Sequence, residues 1–413
     1  MNRMARQHPG RSALVVALIV TGAVSIGGCS RGVASARADT TATAPALTAS
    51  EIRELDIRYF QERAGRDPTG ASDLARLGAL YLERARETGD PRDIVLADSV
   101  ARKSLKNRAT NNSAAASVLQ SALVGLHRFD QAIVLAKAAR DAEPDNQALR
   151  AAVGEIEMEL GNYDSARVAF TGLRIGRGDL HIAPRLARWA EIQGDTARAR
   201  RLLAGALTAA RNEPAMPAER LAWYWLRAGD VEMRTGSPAR ADSLYRAGLA
   251  AHPGDYRLLS ALAHNAALQE RWTAAIEFGE EAITRTLDPA TLGTLSDAWL
   301  AAGDTAAAAE YARVLEVVVS KQPGAYHRAW SLYLLDHDRH VNTVAKKIRE
   351  EMRTRRDIYA YDLLAWSLHK QGKHREASAA MDRALSQGTK DPQLLRHAAA
   401  IANASSHQER ARR

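Results

Sequence analysis

The sequence predicts an all-α fold: a solenoid of antiparallel helix pairs, in about nine units. Three observations predict it. The 413 residues are rich in Ala, Leu and Arg with only 4 Phe, and strand-forming runs are scarce beyond the N-terminus. A column of alanines, each a few residues past a turn, runs Ala97, Ala132, Ala166, Ala199, Ala241, Ala275, Ala308, Ala345 and Ala377, at intervals of 35, 34, 33, 42, 34, 33, 37 and 32. Glycine and proline recur between these alanines at the spacing of helix hairpins, which argues against a long coiled coil.

Taken in order, residues 1–28 read as an export signal. Arg3, Arg6 and Arg11 precede an apolar run from Ala13 to Ile26. Fourteen residues are short for a bilayer span, which needs about 20. The run ends in "IGGC", Ile26 to Cys29, which resembles the lipobox of bacterial lipoproteins. That resemblance implies cleavage before Cys29 and acylation of its sulfur, and so a membrane anchor. Cys29 is the only cysteine, so it has no internal disulfide partner. Ordinary signal cleavage at "ASARA", Ala34 to Ala38, and an uncut anchor are the competing readings. Residues 29–49 are small, polar and aperiodic, as in a flexible tether. By resemblance to enterobacterial sorting, Ser30 after the cysteine leans toward the outer membrane, facing the periplasm.

Residues 50–403 carry the repeat, and 404–413 read as a polar tail. Gly161, Gly194, Gly236, Gly303 and Gly372 sit five residues before a column alanine, where a left-handed residue closes the first helix of a unit. Asp195, Ser237 and Asp304 follow as N-caps, Pro238 and Pro289 take first helical positions, and Pro144 and Pro253 end second helices. The clearest units are Gln147–Phe170, with Gly154, Gly161, Tyr163, Ala166 and Phe170, and Tyr361–Leu385, with Leu364, Leu368, Gly372, Ala377 and Ala384. Their period and residues resemble the tetratricopeptide repeat. The resemblance implies a right-handed superhelix whose first helices line a concave groove. A HEAT or Sel1-like solenoid is the minor alternative. Two departures stand out: an insertion between helices at "RETGDPRDIVL", Arg86 to Leu96, and a longer loop near Arg211 to Glu219.

The formal net charge is +9, but the arginines are spread and mixed with Asp and Glu, as on a solvated helical surface. No dense basic block or aromatic-basic motif argues for nucleic acid. No phosphate loop, HExxH helix or GxSxG elbow occurs. Asp336, His337, Asp338 and His340 form the best metal or catalytic cluster, but the register puts them at a helix end, where polar residues are expected. "RGD", Arg177 to Asp179, reads as an inter-repeat loop. The expectation is a non-enzyme without cofactor.

Carrying the tetratricopeptide register over places Glu155, Arg188, Arg257, His264, Asp297, His327, Trp330, His337, Tyr359, Asp362, Trp366 and His369 toward the groove. Trp330 and Trp366 fit groove or core equally; Asp362 and His369 fit the groove. The Lys and Asn of the carboxylate-clamp subset, which binds chaperone tails, are missing from these positions. The expected role is a lipid-anchored scaffold that grips an envelope protein or peptide in this groove. The alternative is a peptidoglycan- or carbohydrate-associated regulator working through the C-terminal aromatics. The sequence sets no oligomeric state.

Overall fold

The computed structural model describes residues 47–176, 179–214, 216–321 and 328–412. The signal segment, Cys29, most of the tether, Arg177 and His327 therefore lie outside the described residues.

Among the described residues there are twenty helices and no strand. Eighteen form nine consecutive hairpins: α2 (Ala71–Thr88) with α3 (Pro91–Asn107), α4 (Ser113–Gly125) with α5 (Phe129–Ala142), α6 (Gln147–Leu160) with α7 (Tyr163–Phe170), and α8 (Ile182–Ile192) with α9 (Thr196–Asn212). The series continues with α10 (Ala218–Met233) and α11 (Pro238–Ala251), α12 (Tyr256–Ala267) and α13 (Trp272–Ile283), and α14 (Pro289–Ala301) and α15 (Thr305–Ser320). It ends with α16 (Arg328–Asp336) and α17 (Val341–Glu351), then α18 (Ile358–Lys370) and α19 (His374–Leu385). Before the first pair comes α1 (Ala49–Arg66), and after the last comes α20 (Pro392–Arg412).

Local chemistry explains the boundaries. Asp195, Asp288, Asp304 and Asp357 each accept a backbone amide at a helix start, satisfying donors the helix cannot. Ser237 does not cap in this way; its hydroxyl accepts from Arg200 at 3.3 Å instead. The five hairpin glycines all have positive φ, as their position requires.

Every column alanine lies in the second helix of its pair. All nine are buried, eight of them completely. A methyl so covered leaves a larger side chain no room without displacing its neighbours. Close approach is also visible at Gly154, where an added Cβ would lie 2.7 Å from the Phe170 ring. Larger side chains fill the space between units: Leu258, Leu259 and Leu262 of α12 are wholly buried, each burial stabilising by about 1.5–3 kcal/mol before entropy is counted.

Three expectations change. The insertion at Arg86 to Leu96 is absorbed into longer helices: α2 and α3 have 18 and 17 residues, joined only by Gly89 and Asp90. The excess near Arg211 to Glu219 is likewise mostly helix, leaving a connection of 213–217. The long connection is 171–181, after the eight-residue α7. Residues 404–412, read as a polar tail, continue α20.

The units do more than stack on their neighbours. The Arg356 amide donates to the Leu160 carbonyl at 3.0 Å, and the Ile358 amide to the Tyr163 hydroxyl at 2.7 Å, across 195 residues. Arg355 reaches Glu159 at 3.0 Å. Gly161, at φ +83°, presses so closely on the Arg356 backbone that a Cβ would overlap its carbonyl. Gly194, at φ +73°, does the same against the Gly388 carbonyl. One apolar cluster contains both Trp189 and Ile192 of α8 and Ile358 and Leu368 of α18. The third unit thus touches the ninth, six units on. The coil closes a turn in that distance, and a backbone seam joins the turns.

Candidate binding site in the interior of the coil

Closing the turn encloses the surface of the first helices. Two adjoining chambers lie there. One, of about 420 Å³, lies among α8, α10, α12, α18 and α20 and is lined by Arg188, Arg234, His264, Arg328, Tyr359 and Arg396, among others. The second, of about 730 Å³, lies among α6, α8, α10 and α12, with Glu155, Arg185, Arg220, Trp223, Arg227 and Arg257 on its wall. Arg188 and Arg234 face both.

Most of these arginines are held from behind by buried carboxylates. Glu191 is bonded by Arg188 and Arg234, each at 3.0 Å, with Arg227 at 3.8 Å. Burial pushes the Glu191 carboxyl up, but Arg234, Arg227 and Arg188 together overcome it and hold its pKa at about 2. Arg257 pairs with Asp255 at 2.6 Å and also donates to the Glu219 carbonyl at 2.9 Å. Arg185 pairs with Glu155 at 2.7 Å. Arg328 pairs at 3.1 Å with Asp362. The Tyr359 ring lies 5.0 Å from the Arg188 guanidinium and 4.9 Å from that of Arg328. The charge pairs fix the guanidinium groups and leave their remaining N–H donors for the interior.

His264 projects into the first chamber. The residue is exposed on the chamber wall. Crowding by the surrounding protein, then the Arg396 charge, lowers its pKa.

The structure divides the sequence-predicted residues into three groups. Glu155, Arg188, Arg257, His264 and Tyr359 come together on the chamber walls. Asp297 and His337 pair with one another at 2.8 Å on α14 and the end of α16, outside both chambers. Burial raises the Asp297 pKa, against the pull of His337. Trp330, Asp362, Trp366 and His369 are taken up in packing. Trp330 stacks on Tyr333 at 5.9 Å between two apolar clusters. Asp362 is fully buried rather than facing the groove, and accepts from His397 of α20 at 2.7 Å. Trp366 donates to Asp336 at 2.8 Å and stacks on His369 and His397 at 4.9 and 4.2 Å. Burial, then the charge of nearby His374, lowers the His369 pKa. The reason is α20, which lays His397 over the inner face of α18 where a next unit would otherwise leave a groove. His327 lies outside the described residues.

The Asp336–His340 cluster does not converge. Asp336 takes the Trp366 indole, His337 takes Asp297, Asp338 takes Lys370 at 2.9 Å, and His340 sits in a left-handed turn before α17. Among the described residues no group of three His, Cys, Asp or Glu side chains is placed to hold a metal ion.

Arg185, Arg220, Arg227, Arg234, Arg328, Arg355 and Arg396 were not among the sequence candidates. A partial signal was present: Arg220, Arg227 and Arg234 recur every seven residues and so share one stripe along α10 and its C-cap.

Tetratricopeptide-repeat family models match residues 123–179 and 222–265. Those two stretches therefore match the tetratricopeptide repeat, and the described chain is an all-helical solenoid of helix pairs. No curated protein matches. Among solved structures the chain is similar to PilW, described as a widely conserved type IV pilus biogenesis factor, at 18% identity and a TM-score of 0.35, covering 62% of this chain and 96% of that one. It is also similar to the human IFIT1 dimer with PPP-AAAA, at 14% identity and a TM-score of 0.43, over 83% and 95% of the two chains.

Proposed function

We propose that this protein is an exported, lipid-anchored, non-enzymatic scaffold that binds a partner protein or peptide in the bacterial cell envelope, at the outer membrane facing the periplasm. The observation that supports binding is the interior itself. First helices from several units converge there on two solvent-accessible chambers lined by fixed guanidinium groups and by Tyr359 and His264. The envelope address rests on the sequence "IGGC" and the apolar run before it. Among the described residues no helix is long and apolar enough to cross a membrane.

Two measurements test this. Metabolic labelling with a clickable fatty acid is expected to mark the wild type and not Cys29→Ala. A photo-crosslinker at Tyr359 in intact cells is expected to capture envelope proteins more than the same group at exposed Arg198. Equal labelling of both proteins would remove the anchor, and equal capture from both positions would remove the interior as the binding site. The carbohydrate reading drew on the C-terminal aromatics. Trp366 is already stacked on two imidazoles with its indole N–H bonded, so that reading gains no support.

A further inference from the structure

The charges of the interior are not all compensated. Arg188, Arg234 and Arg227 share Glu191 and Asp230; Arg257 has Asp255, Arg185 has Glu155 and Arg328 has Asp362. The two carboxylates that line the first chamber are also engaged. Asp230 accepts from Tyr245 at 3.0 Å and from Arg227 at 2.9 Å. Asp391 caps α20 through the Gln393 amide at 2.9 Å. Two arginines stand apart. Arg396 lines the first chamber from α20, is exposed there, and forms no ion pair among the described residues. Arg220 lines the second from α10, is exposed, and interacts with the Tyr224 hydroxyl but with no carboxylate. Among the described residues, each chamber therefore holds one arginine with no carboxylate partner of its own, and beside Arg396 stands His264.

We infer that the interior binds an acidic peptide segment, with one carboxylate on Arg396 in the first chamber and another on Arg220 in the second. This rests on the scaffold reading above and names the chemistry of its partner. Arg188 and Arg234 line both chambers while Arg396 and Arg220 each line only one, so engaging both unpaired arginines takes carboxylates at separate points along an extended chain. The carboxylates interleaved along the wall decide against a polyphosphate. Nucleic acid carries a charge about every 3.4 Å of strand and is matched by a continuous basic track. Here Glu155, Asp230 and Asp391 break the track, which suits a polypeptide that places acidic side chains at intervals and uncharged ones between. The N–H groups left on the paired arginines then donate to peptide carbonyls.

The test uses the full-length protein in detergent and a fluorescein-labelled octapeptide alternating glutamate and serine, with a glutamine–serine peptide as control. Anisotropy is expected to show binding of the glutamate peptide alone, weakened by added salt. Arg396→Gln and Arg220→Gln are each expected to weaken it by about three- to tenfold, and the double variant by the product. Arg198→Gln, an equal loss of charge on the exposed face of α9, is expected to leave it unchanged. His264 supplies a second readout: a carboxylate on Arg396 should shift its imidazole titration to higher pH by NMR. Equal binding of the two peptides, or equal effects of Arg396→Gln and Arg198→Gln, would overturn the inference. So would arginine-dependent binding of tripolyphosphate or a labelled oligonucleotide tighter than that of the glutamate peptide. If the Tyr359 crosslinker captures envelope proteins while the glutamate peptide does not bind, the acidic-segment inference fails alone and the scaffold reading stands.

Discussion

The seam between turns makes a sharp prediction at Gly161. Its φ of +83° costs an alanine about 1 kcal/mol, because a Cβ crowds the following carbonyl in the left-handed region. Gly372, at φ +71°, carries the same cost and has nothing within 4 Å of a built Cβ. At Gly161 the Cβ would overlap the carbonyl of Arg356, which is backbone and moves only if the turns separate. Separation breaks the Arg356 amide bond to Leu160 and the Ile358 amide bond to Tyr163. Two such bonds contribute about 1–3 kcal/mol net. Gly161→Ala should therefore cost about 2–4 kcal/mol locally, and Gly372→Ala about 1 kcal/mol with the seam intact. Native-state hydrogen exchange reads this directly. The Arg356 and Ile358 amides should exchange roughly ten- to a hundredfold faster in Gly161→Ala and at the wild-type rate in Gly372→Ala. Small-angle scattering should show the first variant expanded. Identical exchange of these two amides in both variants would refute the seam as a contact in solution.

Three further outcomes follow from burial and charge. Asp362→Ala removes the acceptor of both Arg328 and His397 and should destabilise the last unit by about 3–5 kcal/mol; a melting curve unchanged in its C-terminal phase would argue that the pair is not closed. Glu351 has its pKa raised from 4.5 to about 7 by burial, with Lys347 and Arg355 opposing. The folded state thus holds this proton more tightly than the unfolded chain. The resulting stability is complete below pH 4.5 and lost as pH rises through 7, so Glu351→Gln should raise the urea midpoint above pH 7 and flatten its slope in that window. Ala241→Leu should overpack the fifth pair by about 1–3 kcal/mol, whereas Ala197→Leu on the exposed face of α9 should be nearly neutral, as compared by thermal melting.

What was legible in the sequence was what neighbouring residues decide among themselves. The column from Ala97 to Ala377 marks where two helices meet at methyl distance, and glycines such as Gly194 mark where a helix must stop; both are steric demands met within one unit. The first-helix register also points to Arg257, His264 and Tyr359, which line the interior. It did not decide Asp362 or Trp366, because their surroundings are set by α20, a helix beyond the last repeat that carries His397 onto them. The arginines of the chambers were harder still. Arg355 and Arg396 come to the same chamber as Arg188 and Arg234 only after the rotation of several units has accumulated, and a small twist per unit leaves no mark on residue spacing. A scattered, charge-balanced sequence is compatible with both a solvated exterior and a paired interior.

The contact of Gly194 with the Gly388 carbonyl has a consequence for how this molecule can change over time. Repeat arrays usually grow or shrink by whole modules, since each added module only needs the one before it. Here two stretches of bare main chain must arrive at the same place after a set number of modules. Module number between them is then a closure condition, as tooth count is for meshed gears. Deleting one internal hairpin in frame should cost more than its own contacts, because every contact across the turns would be offset by a full step, while hairpins added beyond the closed turn would meet no such constraint.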